Sequence, residues 1–96
     1  MDSALRRECL NHVIILNDDE HTFEYVIEML QSVFGISYAD ALAHTMEADQ
    51  TGSSIVMTCG LTEAESKRDR VHAFGPDWRM PQSSGSVAAI VEPAGV

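Results

Sequence analysis

The alternation of apolar and polar positions predicts six elements. His12 to Leu16 contains four consecutive aliphatics, three of them β-branched, and reads as a central strand. It stops at Asn17-Asp18-Asp19, short polar residues that do not extend a buried strand comfortably. Thr22 then suits a helix N-cap, with Glu24 and Glu28 in the first two turns. Phe23, Val26, Ile27, Leu30, Val33 and Phe34 recur at helical spacing, and Gly35 closes the helix as a C′ residue. Ser37 and Asp40 loosely resemble a capping box and open a second helix to about Asp49, with Ala41, Leu42, Thr45, Met46 and Ala48 facing inward. Gln50-Thr51-Gly52 breaks it. Ser54 to Cys59 suits a second strand. Thr62 and Glu65 have capping-box spacing for a third helix, which runs to Phe74 with a thin apolar stripe of Ala64, Arg68, Val71 and Phe74 or His72. Trp78 to Gly85 reads as a loop, and Ser86 to Val91 as a final strand before Pro93. The order βααβαβ predicts an α+β fold: one small domain, a three-stranded antiparallel sheet, and three helices over one of its faces.

Composition narrows the function classes. The 96 residues give one domain with a single core, residues 12–96, preceded by a short polar arm, residues 1–11, read as flexible. Fifteen acidic against six basic residues give a formal charge of −9, with no basic stripe to release counterions from nucleic acid. No apolar run approaches the ~20 residues of a membrane span, and residues 1–11 carry no signal-peptide core. Cys9 and Cys59 read as free thiols in a reducing cytoplasm. The scattered histidines and cysteines have no zinc spacing, and no Gly-rich phosphate loop occurs.

Two polar sets carry candidate chemistry. Asn17, Asp18 and Asp19 leave the first strand, while Thr45 and Asp49 share one face of the second helix with Ala48 beside them. If the first two helices pack as a hairpin, Asp49 approaches the Asn17 turn, with Phe23 and Val26 as an apolar floor. An amide and carboxylates above an apolar layer suit a small cation with an apolar neighbour. An ammonium has three donors and is favoured by nearby carboxylates.

The run Val13-Ile14-Ile15-Leu16-Asn17-Asp18-Asp19, followed by Glu24-Tyr25-Val26-Ile27-Glu28-Met29-Leu30-Gln31, resembles the Clp protease adaptor family ClpS. Gly52 with Ile55 is similar to that family's second strand, Ala64-Glu65-Ser66-Lys67 to its third-helix motif, and Ser86 to Glu92 to its closing strand. The register is gapless from His12 to Phe74, and a longer loop then precedes the last strand. The resemblance implies a ClpS-like fold, usually monomeric, and an adaptor without catalysis or cofactor. Such an adaptor binds proteins bearing N-terminal Leu, Phe, Tyr or Trp (N-degrons) and hands them to a Clp AAA+ ATPase. It implies that Asn17 and Asp18 hold the substrate's α-amine and first peptide unit, with Asp19 supporting the turn and His21 and Asp49 beside them. Phe23, Val26, Thr45, Ala48 and Val87 would form the hydrophobic pocket. Thr62, Glu65 and Lys67 would dock the N-domain of the ATPase. Burying a bulky side chain in such a pocket contributes roughly 1.5–3 kcal/mol.

The departures from the family bear on specificity. The family's second-helix histidine, which hydrogen-bonds the α-amine, falls at Asp49. Its two pocket methionines fall at Phe23 and Thr45, a pocket valine at Ala48, and a threonine at His21. Its docking glutamate falls on Thr62. These changes predict a retuned pocket that still takes bulky N-terminal residues but ranks them differently. A rival reading is a module that docks and modulates a Clp ATPase without N-degron recognition, consistent with the short arm around Arg6-Arg7-Glu8. A third is an enzyme or a metal site, with oxygen ligands suited to Mg²⁺ or Ca²⁺, built from Asp18, Asp19, His21 and Asp49; no nucleophile–base pair is implied, and the apolar floor argues against a hydrated cation. The plainest reading of Asn17-Asp18-Asp19 is a turn leading into a helix, with His21 a solvated loop tip and Trp78 an undetermined loop residue.

Overall fold

The computed structural model describes residues 10–95. The expected arm is therefore covered only at Leu10 and Asn11, and Cys9 and Arg6-Arg7-Glu8 lie outside the described residues. The elements follow the expected order: β1 (Leu10–Leu16), α1 (Phe23–Phe34), α2 (Tyr38–Thr51), β2 (Ser53–Gly60), α3 (Leu61–His72) and β3 (Ala89–Pro93). The sheet is antiparallel with order β2-β1-β3, so β1 is the central strand.

β1 starts two residues earlier than the apolar run because Leu10 and Asn11 have ladder partners: Leu10 faces Gly60, and Asn11 faces both Cys59 and Pro93. Val13 pairs with Met57 but Ile14 pairs with Ile55, leaving Val56 as the extra residue of a bulge. Val13 and Ile15 enter the core with Met29, Leu30, Val33, Ala64, Val71 and Ala89. Ile14 lies outside that cluster; its partners Ile55 and Ile90 are exposed, and no described helix covers the second sheet face.

α1 has the expected boundaries, but its buried face differs from the expected stripe: Tyr25 and Met29 are buried too, while Phe23 is 43% exposed. Thr22 Oγ1 accepts from Tyr25 N at 3.1 Å, and Gly35 ends the helix at φ 67°, a conformation that favours glycine. α2 is capped by Ser37, whose Oγ accepts from Asp40 N, and it runs two residues past the expected end, to Thr51, because the left-handed residue is Gly52. Its buried residues are Ala41, Thr45 and Ala48; Met46, expected inward, is 43% exposed, since it sits one residue off that stripe.

α3 departs most from expectation. β2 passes straight into it through the extended residue Gly60, and the helix begins at Leu61 without a side-chain cap. Thr62 is thus already helical and cannot serve as the cap of a Thr62/Glu65 capping box. The helix ends at His72 rather than Phe74. Two of its basic residues serve α1: Lys67 Nζ donates to Val33 O at 3.1 Å and Arg70 Nη2 to Ser32 O at 3.4 Å. They satisfy carbonyls that a helix C-terminus leaves open. The closing strand is shifted toward Pro93, which the edge position of β3 tolerates.

Candidate functional site

Backbone hydrogen bonds bring the end of β1 against the end of α2. Asn17 N donates to Gly52 O at 2.9 Å, and Leu16 N donates to Ala88 O at 3.0 Å. The strand end is thereby clamped between the α2 C-cap and the approach to β3. Beneath it lies a cavity of about 50 Å³. Ile15, Leu16, Asn17, Asp18 and His21 line it from the β1 side, Phe23 and Val26 from α1, Thr45, Ala48 and Asp49 from α2, and Val87 from the segment before β3. The expected approach of Asp49 to the Asn17 turn is present. Asp19 is exposed and does not line the cavity. Thr62, Glu65 and Lys67 sit on α3, away from it.

The polar residues of the cavity differ in their partners. Asp18 Oδ1 accepts from Glu20 N at 2.9 Å, and both of its carboxylate oxygens accept from His21 Nδ1, at 2.8 and 2.9 Å. The other ring nitrogen, Nε2, lies 2.7 Å from Gly85 O. The His21 side chain is only 3% exposed and its ring lies 4.6 Å from that of Tyr25. It is therefore no solvated loop tip: two acceptors from different segments hold it inside. Burial lowers its pKa, but the Asp18 and Gly85 hydrogen bonds and the charges of Asp18 and Asp77 outweigh that and raise it. The Asn17 side chain and the Asp49 carboxylate, by contrast, have no hydrogen bond or ion pair among the described residues. Thr45 Oγ1 donates to Ala41 O at 2.7 Å, which satisfies a hydroxyl in the buried wall.

Asp77, which nothing in the sequence pattern singled out, holds the loop behind the site. It is 1% exposed. Its Oδ2 accepts from Thr22 N at 2.7 Å and Thr22 Oγ1 at 2.8 Å, and its Oδ1 from Arg79 N at 3.0 Å and Arg79 Nη1 at 3.3 Å. Arg79 Nη2 also pairs with Glu28 on α1 at 2.6 Å. Burial by itself would raise the Asp77 pKa, yet this ring of donors pulls it down to about 2. The Gly75-Pro76-Asp77 sequence signals a turn, but not that its carboxylate reaches Thr22. Trp78 beside it is 82% exposed, with Arg79 stacked over its ring at 4.6 Å.

Among the described residues no group of three or more His, Cys, Asp or Glu side chains is arranged to hold a metal ion, so Asp18, Asp19, His21 and Asp49 do not converge as ligands. No helix among the described residues is long and apolar enough to cross a membrane.

Comparison with known proteins puts this geometry in a family. The sequence model of the ATP-dependent Clp protease adaptor protein ClpS matches residues 6–81. The chain belongs to the ClpS family. Among its relatives, the ClpS adapter of Nautilia profundicola is 36% identical over 65 residues, covering 68% of this chain and 67% of that protein. The ClpS adapter of Acetivibrio thermocellus is 32% identical over 81 residues, covering 84% and 77%. The structure of Agrobacterium tumefaciens ClpS2 bound to L-phenylalaninamide superposes with a TM-score of 0.76 at 28% identity, covering 90% of this chain and 98% of that one. This ClpS-family chain thus has the ClpS fold and is an adaptor of the Clp protease system.

Proposed function

We propose that the chain recognises proteins by their N-terminal residue and delivers them to a Clp AAA+ ATPase. The substrate's α-ammonium sits at the cavity mouth and its apolar side chain lies below. One observation carries this reading: two acceptors without a partner among the described residues, the Asn17 amide and the Asp49 carboxylate, border the same cavity as Phe23, Val26, Ala48 and Val87. Polar acceptors at the rim fix a cation, and the apolar wall removes its neighbour from water. The related ClpS2, bound to L-phenylalaninamide, supports a ligand that pairs a free amine with a bulky side chain.

Volume bears on which side chain fits. The cavity of about 50 Å³ is roughly a third of the ~150 Å³ apolar cavity that takes benzene. A Leu side chain therefore asks less rearrangement of the wall than an aromatic ring, and Phe23, 43% exposed, is the wall residue placed to give way. Docking on the ATPase N-domain is assigned to the α3 surface around Thr62 and Glu65, with Lys67 tied to α1 rather than free to reach a partner.

Fluorescence anisotropy with peptides differing only at the first residue, each paired with its N-acetylated form, tests the reading. Free-amine Leu and Phe peptides bind and their acetylated forms do not; equal binding of the acetylated forms would remove amine recognition. Phe23→Ala should shift the Phe-to-Leu affinity ratio toward Phe.

A further inference from the structure

The ligand site contains two carboxylates in different states, and His21 explains why. Its Nδ1 faces the Asp18 carboxylate and its Nε2 faces a backbone carbonyl, that of Gly85. A carboxylate and a carbonyl both only accept hydrogen bonds, so each ring nitrogen must carry a proton. Ser83 Oγ, 3.3 Å from Nε2, is a more distant neighbour and also serves as donor to Gly85 O. The groups facing the ring are Asp18 on the turn, Tyr25 on α1, and Asp77 with Ser83 and Gly85 on the loop. Both carboxylates in that set, Asp18 and Asp77, favour the cation.

Asp18 is therefore already paired, with both oxygens engaged by His21 and one by Glu20 N. Asp49 has no such partner among the described residues. It lies near the C-terminus of α2, where the helix dipole adds negative partial charge and the last turn has no basic residue. Gly85 is two residues from the cavity wall at Val87, so one imidazolium ties the amine turn to that wall.

We propose that His21, as an imidazolium, is the positioning residue of the site, committing Asp18 to the scaffold and leaving Asp49 as the carboxylate that pairs with the ligand's ammonium. This rests on the N-terminal recognition described above. The ligand feels one net negative charge, delivered from α2 rather than from the turn after β1.

Nitrogen-15 NMR of the imidazole and binding by anisotropy test it together on the full chain. At pH 6.5, where a free histidine is half protonated, His21 should show both nitrogens protonated in well over half the molecules. That signature should persist when the chain is saturated with an N-terminal Phe peptide. A ring half or more neutral, or loss of the Nδ1 proton signal on saturation, would overturn the brace. Asp49→Asn should weaken the free-amine peptide by about ten- to a hundredfold, the range expected for a hydrogen bond to a charged group, and Asp18→Asn should weaken it less. Equal or greater loss in Asp18→Asn would overturn the division of roles. If the parent chain does not distinguish free from acetylated peptide, the recognition reading fails and the Asp49 pairing with it. The NMR signature judges the His21 brace separately.

Discussion

Asp77 and Asp49 are carboxylates at opposite ends of the same design. Asp77 is 1% exposed and takes four hydrogen bonds from Thr22 and Arg79. Asp49 is exposed, borders the cavity, and has no partner among the described residues. The first has no acceptor capacity to offer a ligand and is part of the scaffold. The second has all of it. Asp18 lies between them: it lines the cavity, yet His21 and Glu20 already hold it. In a chain with 15 acidic residues, satisfaction of the oxygens, rather than charge or position, separates scaffold from site.

Removing the satisfied carboxylate has the largest expected effect. Asp77→Ala leaves Thr22 N and Oγ1 without their acceptor at a buried position, reduces Arg79 to its Glu28 partner, and should cost about 3 kcal/mol of unfolding free energy by urea titration. It also frees the loop that carries Gly85 and Val87, so peptide binding should weaken alongside. A change within experimental error of zero would mean that the loop holds without it.

Acid titrates the same group more gently. Because the folded pKa, about 2, lies below the ordinary value of 3.8, its contribution is present above pH 3.8 and lost as pH falls toward 2. Linkage, reduced for nearby solvent, gives on the order of 1–2 kcal/mol. Stability measured across that window should fall in the parent chain, and the fall should be smaller in Asp77→Asn. His21 has the opposite sign. Its raised pKa stabilises the fold below pH 6.5 and that contribution is lost as pH rises through the folded value. The two groups therefore bracket the pH range from opposite sides.

The contrast also explains what was legible in the sequence. The bounds of α1 were readable because its cap and its terminal Gly35 are local signals, whereas the burial of Tyr25 and Met29 and the exposure of Phe23 depend on what packs against the helix. Asn17, Asp49, Phe23, Val26, Thr45 and Ala48 were readable as a constellation because helical spacing and one packing step bring them together, and the family resemblance supplied the register. Asp77 and the inward turn of His21 were not. The Asp77–Thr22 and His21–Gly85 contacts span 55 and 64 residues of chain, and each has one end in a loop without periodicity. The Thr62/Glu65 spacing misled for a related reason: a local cap signal assumes a free residue before the helix, and β2 leaves none there. Local chemistry predicts elements well, but a polar side chain's partner is a property of the tertiary fold.

The smallest expected effect is the one that most sharpens the distinction between the two carboxylates. Asp49→Ala removes no hydrogen bond or ion pair seen among the described residues, and it removes a negative charge from the C-terminal turn of α2, where the helix dipole disfavours one. Alanine also has the higher helix propensity. Stability should therefore stay within about 0.5 kcal/mol of the parent or rise slightly, as surface substitutions away from buried features do. Affinity for a free-amine peptide should nevertheless fall. A residue that costs nothing to the fold and much to the ligand is acting on the ligand directly. If Asp49→Ala instead destabilised the chain by as much as Asp77→Ala, the exposed carboxylate would have a structural partner, and the contrast between the two would fail.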